Sequence, residues 1–251
     1  MVLPVRNIKK AQALFGDRND VSVLEWSLGD ELAGSERVDY VVHAACGTSS
    51  KSFLETPATT IMQIVHGGEA VLRYAYSVDA KKVLFLSTME VYGEVEGVAT
   101  EDNLGKLDPM VVRNSYPEAK RLVECLCASY ATEHGVPSVV MRLAQTFGEG
   151  VHPDDMRVFA DFGRHAIDGK DIVLLSDGLK RNGYLSVDDS VRAILIALVN
   201  GQSGEAITQL TRMRIAALGK WRSWFLTSLA LRVHRSAESL TPSARRRQEG
   251  L

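Results

Sequence analysis

Short apolar runs alternate along this chain with segments of helical periodicity, and this alternation constrains the fold more than any other feature. The predicted strands are Val2–Val5, Val21–Leu24, Val38–Ala45, Val83–Ser87 and Val139–Arg142. Strands that alternate with helices in this way form a parallel sheet with helices packed on it. We therefore predict an α/β fold, and the 251 residues suffice for one large domain or for one domain with a smaller lobe.

Two of the intervening segments are predicted helices. After Lys120, apolar side chains recur at intervals of three and four until Gly135 and Pro137 end the pattern. A second helix with the same periodicity begins at about Asp188 and ends before Gly201.

The last fifth of the chain differs in composition from the rest. From Ala206 onward it carries nine Lys and Arg against two Glu, whereas the whole chain has a net charge of −2. It shows no strand pattern and no capped helix, so we predict an atypical basic tail over residues 206–251. Arg245, Arg246 and Arg247 offer a nucleic-acid-binding interpretation, but a charged chain end is usually solvated. The balanced net charge favours neither nucleic acid nor an anionic membrane as a partner.

Cysteine content and apolar run length bear on the cellular compartment. Cys46, Cys125 and Cys127 are an odd number without the spacing of a metal site, so we predict reduced thiols and no metal. The amino terminus, MVLPVRNIKK, has too short an apolar run for a signal peptide, and the uncharged run from Ser223 to Leu231 is too short to span a bilayer. We therefore expect a cytoplasmic protein with no membrane partner.

A tyrosine and a lysine stand one helical turn apart where the first predicted helix begins. The stretch N-S-Y-P-E-A-K places Tyr116 and Lys120 four residues apart, on one helix face, so their polar groups can meet. An ammonium near a phenol stabilises the phenolate and lowers its pKa, which would let Tyr116 exchange a proton near neutral pH. A Y-x-x-x-K pair taken alone also occurs by chance as a solvated pair.

The stretch S-T-M-E-V-Y-G, which begins at Ser87, directly follows the apolar strand Val83–Phe85. It therefore lies at the carboxyl edge of the predicted sheet, where ligands bind in open α/β folds. Thr88 could donate a hydrogen bond to the substrate oxygen that Tyr116 deprotonates, and Glu90 would be a second acid or base nearby. By itself, this stretch would be an ordinary turn.

With five blocks in the same order, residues 1–205 resemble the extended short-chain dehydrogenase/reductases, the NAD-dependent sugar-nucleotide epimerases and dehydratases. The blocks are Val41–Ala45 (V-V-H-A-A), Ser87–Gly93, Tyr116–Lys120, Arg142–Gly150 (R-L-A-Q-T-F-G-E-G) and Tyr184–Asp189 (Y-L-S-V-D-D). Each block is modest alone, and their joint order carries the resemblance. Within that family, the chain looks similar to the UDP-glucuronate decarboxylases and the dTDP-glucose 4,6-dehydratases.

The resemblance implies a Rossmann-like, doubly wound parallel sheet over residues 1–150 and a partial substrate-binding lobe over 151–205, interleaved with the sheet. Family members begin with a strand and a G-x-x-G-x-x-G turn whose N–H groups receive the cofactor pyrophosphate. No such pattern occurs here, and Val2–Val5 is similar to the second strand of the family. The first strand lies in the middle of the sheet, so its two neighbours should lack hydrogen-bond partners. We expect a truncated copy that binds cofactor weakly.

The implied chemistry is hydride transfer from a carbon of a nucleotide-linked sugar to NAD or NADP, giving a keto intermediate that is epimerised, dehydrated or decarboxylated. Tyr116 would be the base, and Thr88 would polarise the hydroxyl that loses its proton. Lys120 would tune Tyr116 and hold the nicotinamide ribose.

Further cofactor contacts follow from the same resemblance. Ala44, Ala45 and Ser87 would line the cofactor path, whereas His43 is expected to be structural. Arg6 follows the strand after which the adenosine ribose is recognised, so it would favour the 2′-phosphate of NADP. Arg6 is equally interpretable as a surface charge.

Substrate contacts are predicted mainly in the lobe. Arg157 and Arg181 are candidates for the substrate diphosphate and Gln145 for a sugar or phosphate, although either arginine is equally a surface charge. Met89 would contact substrate where dehydratases carry Asp, which disfavours simple dehydration. By analogy, a homodimer would form through two helices that flank the sheet, one of them the helix Tyr116–His134. The alternative function is a catalytically inactive pseudoenzyme or interaction protein.

Overall fold

The computed structural model describes residues 1–32, 37–174 and 181–209, together with strand residues 216–217 and 233–235. The strands are β1 (Val2–Val5), β2 (Ser22–Glu25), β3 (Tyr40–His43), β4 (Lys82–Thr88), β5 (Ser138–Leu143), β6 (Gln145–Phe147), β7 (Ile172–Leu174), β8 (Arg181–Asn182), β9 (Tyr184–Ser186), β10 (Ala206–Gln209), β11 (Ala216–Ala217) and β12 (Val233–Arg235). The α-helices are α1 (Ile8–Phe15), α2 (Ser50–Glu55), α3 (Pro57–Ser77), α4 (Ser115–His134), α5 (Val158–Ile167) and α6 (Val187–Asn200), and 3-10 turns occupy Met89–Tyr92 and Val112–Asn114.

A parallel sheet of four strands, in the order β10-β5-β4-β3, is the centre of the fold. Its strands alternate along the chain with helices, as the sequence predicts. Helix α4 confirms the predicted amphipathic helix, and it ends at Gly135, which has a left-handed φ of 69°. Helix α6 confirms the second predicted helix to within one residue at its start.

Both faces of this sheet are covered, which makes it doubly wound. Successive residues of β4 and β5 sort into two hydrophobic clusters because their side chains point to opposite faces. The cluster that includes residues of α3 and α4 takes Val83, Phe85 and Val140, and the cluster that includes residues of α6 takes Leu84, Val139 and Met141. This arrangement confirms the predicted Rossmann-like class.

Strands β1 and β2 form a separate parallel pair. Within the described part of the chain, β1 is bonded only to β2 and β3 only to β4, as expected for two strands that would flank an additional one. On β3, Tyr40 remains 47% exposed and Val42 40% exposed. A strand of this apolar composition normally lies inside a parallel sheet, so the edge of β3 presents an unpaired backbone and apolar side chains.

The β1-β2 pair is attached to the main sheet through side chains that follow β2. Trp26 is buried in the same hydrophobic cluster as Phe85, and Leu28 packs at its margin. The Cα of Gly67 on α3 faces Leu28 so closely that an added Cβ would lie 2.4 Å from a Leu28 methyl carbon. A side chain at this position of α3 would force the Leu28 methyl group to move where the segment after β2 crosses the helix.

The segment from Ala206 differs from its prediction, because residues Ala206–Gln209 form the strand β10. This strand pairs in parallel with β5, and Ile207 packs against the cluster on the α6 side. Four residues with one strongly apolar side chain are too short for a strand pattern, so tertiary pairing decides their conformation. Farther on, β11 pairs with β8 and β12 with β7, and the rest of the predicted basic tail, including Arg245–Arg247, lies outside the described residues. Among the described helices, none has both the length and the apolar character needed to cross a membrane.

Candidate active site

The three predicted catalytic groups meet where β4 ends and α4 begins. The Thr88 side chain, on the last residue of β4, lies beside the Tyr116 hydroxyl and lowers the pKa of the phenol, and its Oγ1 accepts a hydrogen bond of 3.3 Å from the backbone N–H of Glu90. The Lys120 ammonium lies 5.9 Å from the centroid of the Tyr116 ring and donates a hydrogen bond of 2.9 Å to the carbonyl of Leu86. The predicted helical spacing therefore places both side chains of α4 against the carboxyl end of β4.

The predicted pKa of Tyr116 is wrong in direction. Burial raises the pKa of this phenol above its usual value of 10.0, and the nearby Cys46 and Glu90 raise it further. The neighbouring Thr88 side chain and the charge of Arg113 lower the pKa without reversing the shift. Phenolate formation is penalised because the ring is desolvated, and the Lys120 ammonium is directed to a backbone carbonyl instead of the phenol.

Lys120 is itself buried among apolar groups. Its ammonium lies 4.6 Å from the centroid of the Phe85 ring, a cation–π contact. Desolvation lowers the pKa of Lys120, while the neighbouring Cys46, Glu124 and Cys127 raise it. The pKa of Lys120 therefore depends on the thiols and the carboxylate packed around it.

Glu90 lies beside this group and is paired with a residue that the sequence did not single out. Its carboxylate accepts an ion-pair contact of 2.9 Å from Arg113. The guanidinium of Arg113 lies over the ring of Phe53 at 5.1 Å, and Phe53 stacks on Tyr116 with a centroid distance of 4.4 Å. Arg113 stands three residues before Tyr116, but an isolated arginine outside a regular element offers no pattern that would have identified it.

Ser87 and His43 are both used within the protein. The Ser87 hydroxyl donates a hydrogen bond of 2.5 Å to Glu124, so this group, predicted to line the cofactor path, is directed toward α4. His43 ends β3, stacks on Phe85 at 5.5 Å and is buried. Desolvation, followed by the charge of Lys120, lowers the pKa of His43 to about 3. A neutral, stacked imidazole agrees with the structural role expected for it.

The predicted cofactor residues occupy two edges of the fold. Ala44 and Ala45 are exposed directly after β3, and the position of a Cβ on Gly47 would meet no atom within 4 Å. This open, small-residue segment next to Lys120 and Tyr116 fits the nicotinamide end of a dinucleotide. At the other edge, the exposed Arg6 follows β1, and the helix that comes next is capped by the Asn7 side chain. Arg6 and Asn7 form the whole connection between β1 and α1.

The predicted substrate residues are not gathered into one place by their contacts. Met89 is half-buried on the turn that follows Thr88, and Gln145 is half-buried on β6. Arg157 donates to Asp155 at 2.5 Å and lies 4.7 Å from the ring centroid of Phe159. Arg181 is a strand residue of β8 whose side chain lies outside the described part. Among the predicted substrate residues that the structure describes, only Met89 is a direct neighbour of Thr88 in the sequence.

Comparisons with curated proteins give the chain its relatives. UDP-glucuronic acid decarboxylase 6 of Arabidopsis thaliana is 32% identical over 168 residues, which cover 66% of this chain and 49% of that protein. A dTDP-glucose 4,6-dehydratase of Streptomyces niveus is 26% identical over 219 residues, covering 85% of this chain and 61% of that protein. The chain thus spans about half the length of the decarboxylase.

Solved structures share the fold at lower identity. The UDP-glucose 4-epimerase of Thermotoga maritima, solved with UDP-glucose, matches with a TM-score of 0.81 at 22% identity. The match covers 94% of this chain and 77% of the epimerase chain. The UDP-glucuronic acid 4-epimerase of Bacillus cereus, solved with UDP-glucuronic acid and NAD, has a TM-score of 0.79 at 18% identity, with coverages of 94% and 76%. Because the family model also matches residues 4–209, the chain belongs to the NAD dependent epimerase/dehydratase family.

Proposed function

We propose that this chain carries the catalytic end of an NAD- or NADP-dependent enzyme that oxidises a ring hydroxyl of a nucleotide sugar. The observation that carries the proposal is that the Thr88 side chain lies beside the Tyr116 phenol, with the ammonium of Lys120 5.9 Å from the centroid of the same ring. A hydroxyl donor, a phenol and an ammonium in one partly buried edge of a parallel sheet can orient an alcohol and remove its proton.

Each residue has a defined task in this proposal. A bound nicotinamide supplies the hydride acceptor. Thr88 donates a hydrogen bond to the substrate oxygen, Tyr116 takes its proton, and Lys120 holds the nicotinamide ribose while its charge favours the phenolate. Because the pKa of Tyr116 is raised in the protein alone, proton removal has to wait until bound ligands bring positive charge or hydrogen bonds to the phenol.

Glu90 is the proposed second acid or base for the step that follows oxidation. Its ion pair with Arg113 holds the carboxylate beside Tyr116. The relatives act as decarboxylases, dehydratases and epimerases on nucleotide sugars. Since Met89 stands where dehydratases carry Asp, we favour decarboxylation or epimerisation over simple dehydration. A cytoplasmic location and a homodimer remain predictions.

A second candidate function is an inactive pseudoenzyme or interaction protein. It is favoured by the split between the β1-β2 pair and the main sheet, which leaves β1 and β3 each bonded on one side within the described residues. In the family, the strand that lies between these two edges carries the turn that receives the cofactor pyrophosphate. A chain with the catalytic end but a weak phosphate site would bind dinucleotide poorly.

Anaerobic titration with NADH and NADPH, followed by incubation with NAD and UDP-glucuronic acid or UDP-glucose, distinguishes these functions. Saturable binding and a transient, substrate-dependent rise in reduced-nicotinamide absorbance during a single turnover support the enzyme, because epimerisation and decarboxylation return the hydride to the sugar. Tyr116→Phe should bind dinucleotide with unchanged affinity but lose the absorbance change, because only the proton acceptor is removed. Failure of folded wild-type protein to bind either dinucleotide favours the pseudoenzyme.

A further inference from the structure

We propose that Phe53 is a positioning residue, which fixes the orientation of the two proposed proton-transfer groups, Tyr116 and Glu90. The inference rests on the proposed function, since it concerns how those two groups are held. Phe53 lies on the short helix α2, Tyr116 on α4 and Glu90 on the 3-10 turn that follows β4. Phe53 therefore belongs to neither segment that carries the chemistry, and it acts on each through a separate contact.

The first contact is a ring stack on Tyr116. The two ring centroids lie 4.4 Å apart and the ring planes differ by 12°. Phe53 is 2% exposed and Tyr116 is 7% exposed, and both belong to the main hydrophobic cluster. A nearly parallel ring in contact restricts tilting and rotation of the phenol, because close packing leaves no room for either movement. The O–H bond of a phenol prefers the plane of the ring, so the stack also sets the direction in which the Tyr116 oxygen exchanges a proton.

The backbone around Phe53 is held from two sides. The hydroxyl of Ser115, at the start of α4, donates a buried hydrogen bond of 3.3 Å to the carbonyl of Phe53. The hydroxyl of Thr60, on α3, donates a hydrogen bond of 3.3 Å to the carbonyl of Ser52. Helix α2 is therefore tied to α3 and α4 at two consecutive residues. The ring of Phe53 is fixed relative to the helix that carries the phenol.

The second contact reaches Glu90 through Arg113. The guanidinium carbon of Arg113 lies 5.1 Å from the centroid of the Phe53 ring, and its Nη2 lies 2.9 Å from the Glu90 carboxylate. The Arg113 side chain is only 22% exposed, so the cation–π contact is partly shielded from water. The ring restricts the guanidinium, and the guanidinium restricts the carboxylate. Loss of the Phe53 ring should therefore loosen both proton-transfer groups.

The first experiment measures the orientation of the phenol in cofactor-free protein. NMR spectra of protein with ¹³C-labelled tyrosine report the ring protons of Tyr116, assigned by their loss in Tyr116→Phe. In Phe53→Leu these signals should move, because the ring current of the stacked phenyl group is removed while an apolar side chain is kept. Phe162→Leu is the matched control, since Phe162 is a buried phenylalanine of α5. That control should leave the Tyr116 signals in place.

The second experiment measures turnover with dinucleotide and nucleotide sugar. Phe53→Leu should lower kcat roughly tenfold and leave KM and the dinucleotide Kd within about twofold, because misalignment affects proton transfer and the buried ring offers no surface to either ligand. Phe53→Tyr keeps a stacked ring and should restore most of the lost turnover. A purely structural role would not produce this selective loss of kcat with recovery in the aromatic variant.

A double-mutant cycle tests the link to Glu90. Phe53→Leu combined with Arg113→Gln should lower kcat by less than the product of the two single effects, because both substitutions release the same guanidinium. Phe162→Leu combined with Arg113→Gln should give the full product. A full product in the first pair as well would overturn the part of the proposal that concerns Glu90.

Folding of each variant is verified by a cooperative urea transition. Phe53→Met replaces Phe53→Leu if the latter does not fold, since a flexible methionine fills the same space without a ring. Unchanged Tyr116 signals, or a wild-type kcat, in the folded variant without a ring would overturn the inference. The NMR comparison needs no dinucleotide. An inactive wild type would therefore overturn the proposed function, while the spectra still decide whether Phe53 orients the phenol.

Discussion

A Cβ atom placed on Gly68 of α3 would lie 2.6 Å from one methyl carbon of Val123 on α4 and 2.9 Å from the other. Val123 is 1% exposed and lies in the main hydrophobic cluster, so it has no space into which to move. The spacing between the two helices is therefore set at this crossing. It also sets the position of the catalytic end of α4 against the sheet.

We predict that Gly68→Ala destabilises the protein despite its helical location. Alanine would gain up to about 1 kcal/mol in helix propensity, whereas overpacking costs about 1–3 kcal/mol, so the clash should prevail. The measurement is the free energy of unfolding from urea denaturation. Val123→Ala in the same chain makes room for the added methyl, and the double variant should be more stable than the sum of the single effects predicts. Strict additivity would contradict the crossing described above.

The sequence predicted the helix and strands of the site but not which charged side chains pair with one another between them. The end of β4 and the start of α4 follow from an apolar run and an interval of four, both of which are local patterns. The pairs Glu124–Arg142 and Glu90–Arg113 join segments that are far apart along the chain, and no local pattern encodes them. The raised pKa of Tyr116 has the same origin, because desolvation is a property of the packed structure.

His43 should make the stability of the protein sensitive to acid. Burial lowers its pKa from 6.5 to about 3. The unfolded chain takes up a proton below pH 6.5 while the folded chain does not, so stability is lost as pH falls from 6.5 toward 3. Protonation of His43 in the unfolded chain should lower the free energy of unfolding by about 2 kcal/mol at about pH 5. Urea denaturation measures the free energy of unfolding at about pH 7 and at about pH 5. This free energy should fall less between the two pH values in His43→Leu than in wild type, and an equal fall would show that His43 is not responsible for the acid sensitivity.

Lys120→Met should separate stability from activity. Methionine loses the hydrogen bond to Leu86 but also removes a buried ionisable group. We therefore expect the free energy of unfolding of the variant at neutral pH to lie within about 1 kcal/mol of the wild-type value. The pKa of Lys120 is lowered in the folded protein, below the value of 10.5 in the unfolded chain. The stability of the wild type should therefore rise as the pH increases from the folded-state pKa to 10.5, and the variant should lack this rise. Cofactor-dependent turnover should disappear. Full activity in folded Lys120→Met would be incompatible with the proposed role.

Arg113 should influence the rate through Tyr116 and Glu90. Removing its charge in Arg113→Gln raises the pKa of Tyr116, because Arg113 is one of the groups that lower it. The ion pair is partly solvated, so we expect a reduction in turnover of roughly fivefold, equivalent to about 1 kcal/mol. Arg113→Lys keeps the charge and should retain more activity than Arg113→Gln. The comparison is made from the rate of substrate-dependent nicotinamide reduction across pH, and equal rates in the two variants would assign Arg113 a packing role against Phe53.

Arg6 should decide the preference between the two dinucleotides. It is exposed directly after β1, with a guanidinium free to form charge-assisted hydrogen bonds to a phosphate, and NADPH differs from NADH by such a group on the adenosine ribose. In Arg6→Ser the dissociation constant for NADPH should rise by roughly tenfold, while that for NADH stays nearly constant. Lys9→Ser removes an exposed positive charge from the adjoining helix α1 and controls for general electrostatic attraction. Fluorescence titration with each dinucleotide measures both constants, and an equal weakening of NADH and NADPH by Arg6→Ser would show that this arginine does not read the ribose phosphate.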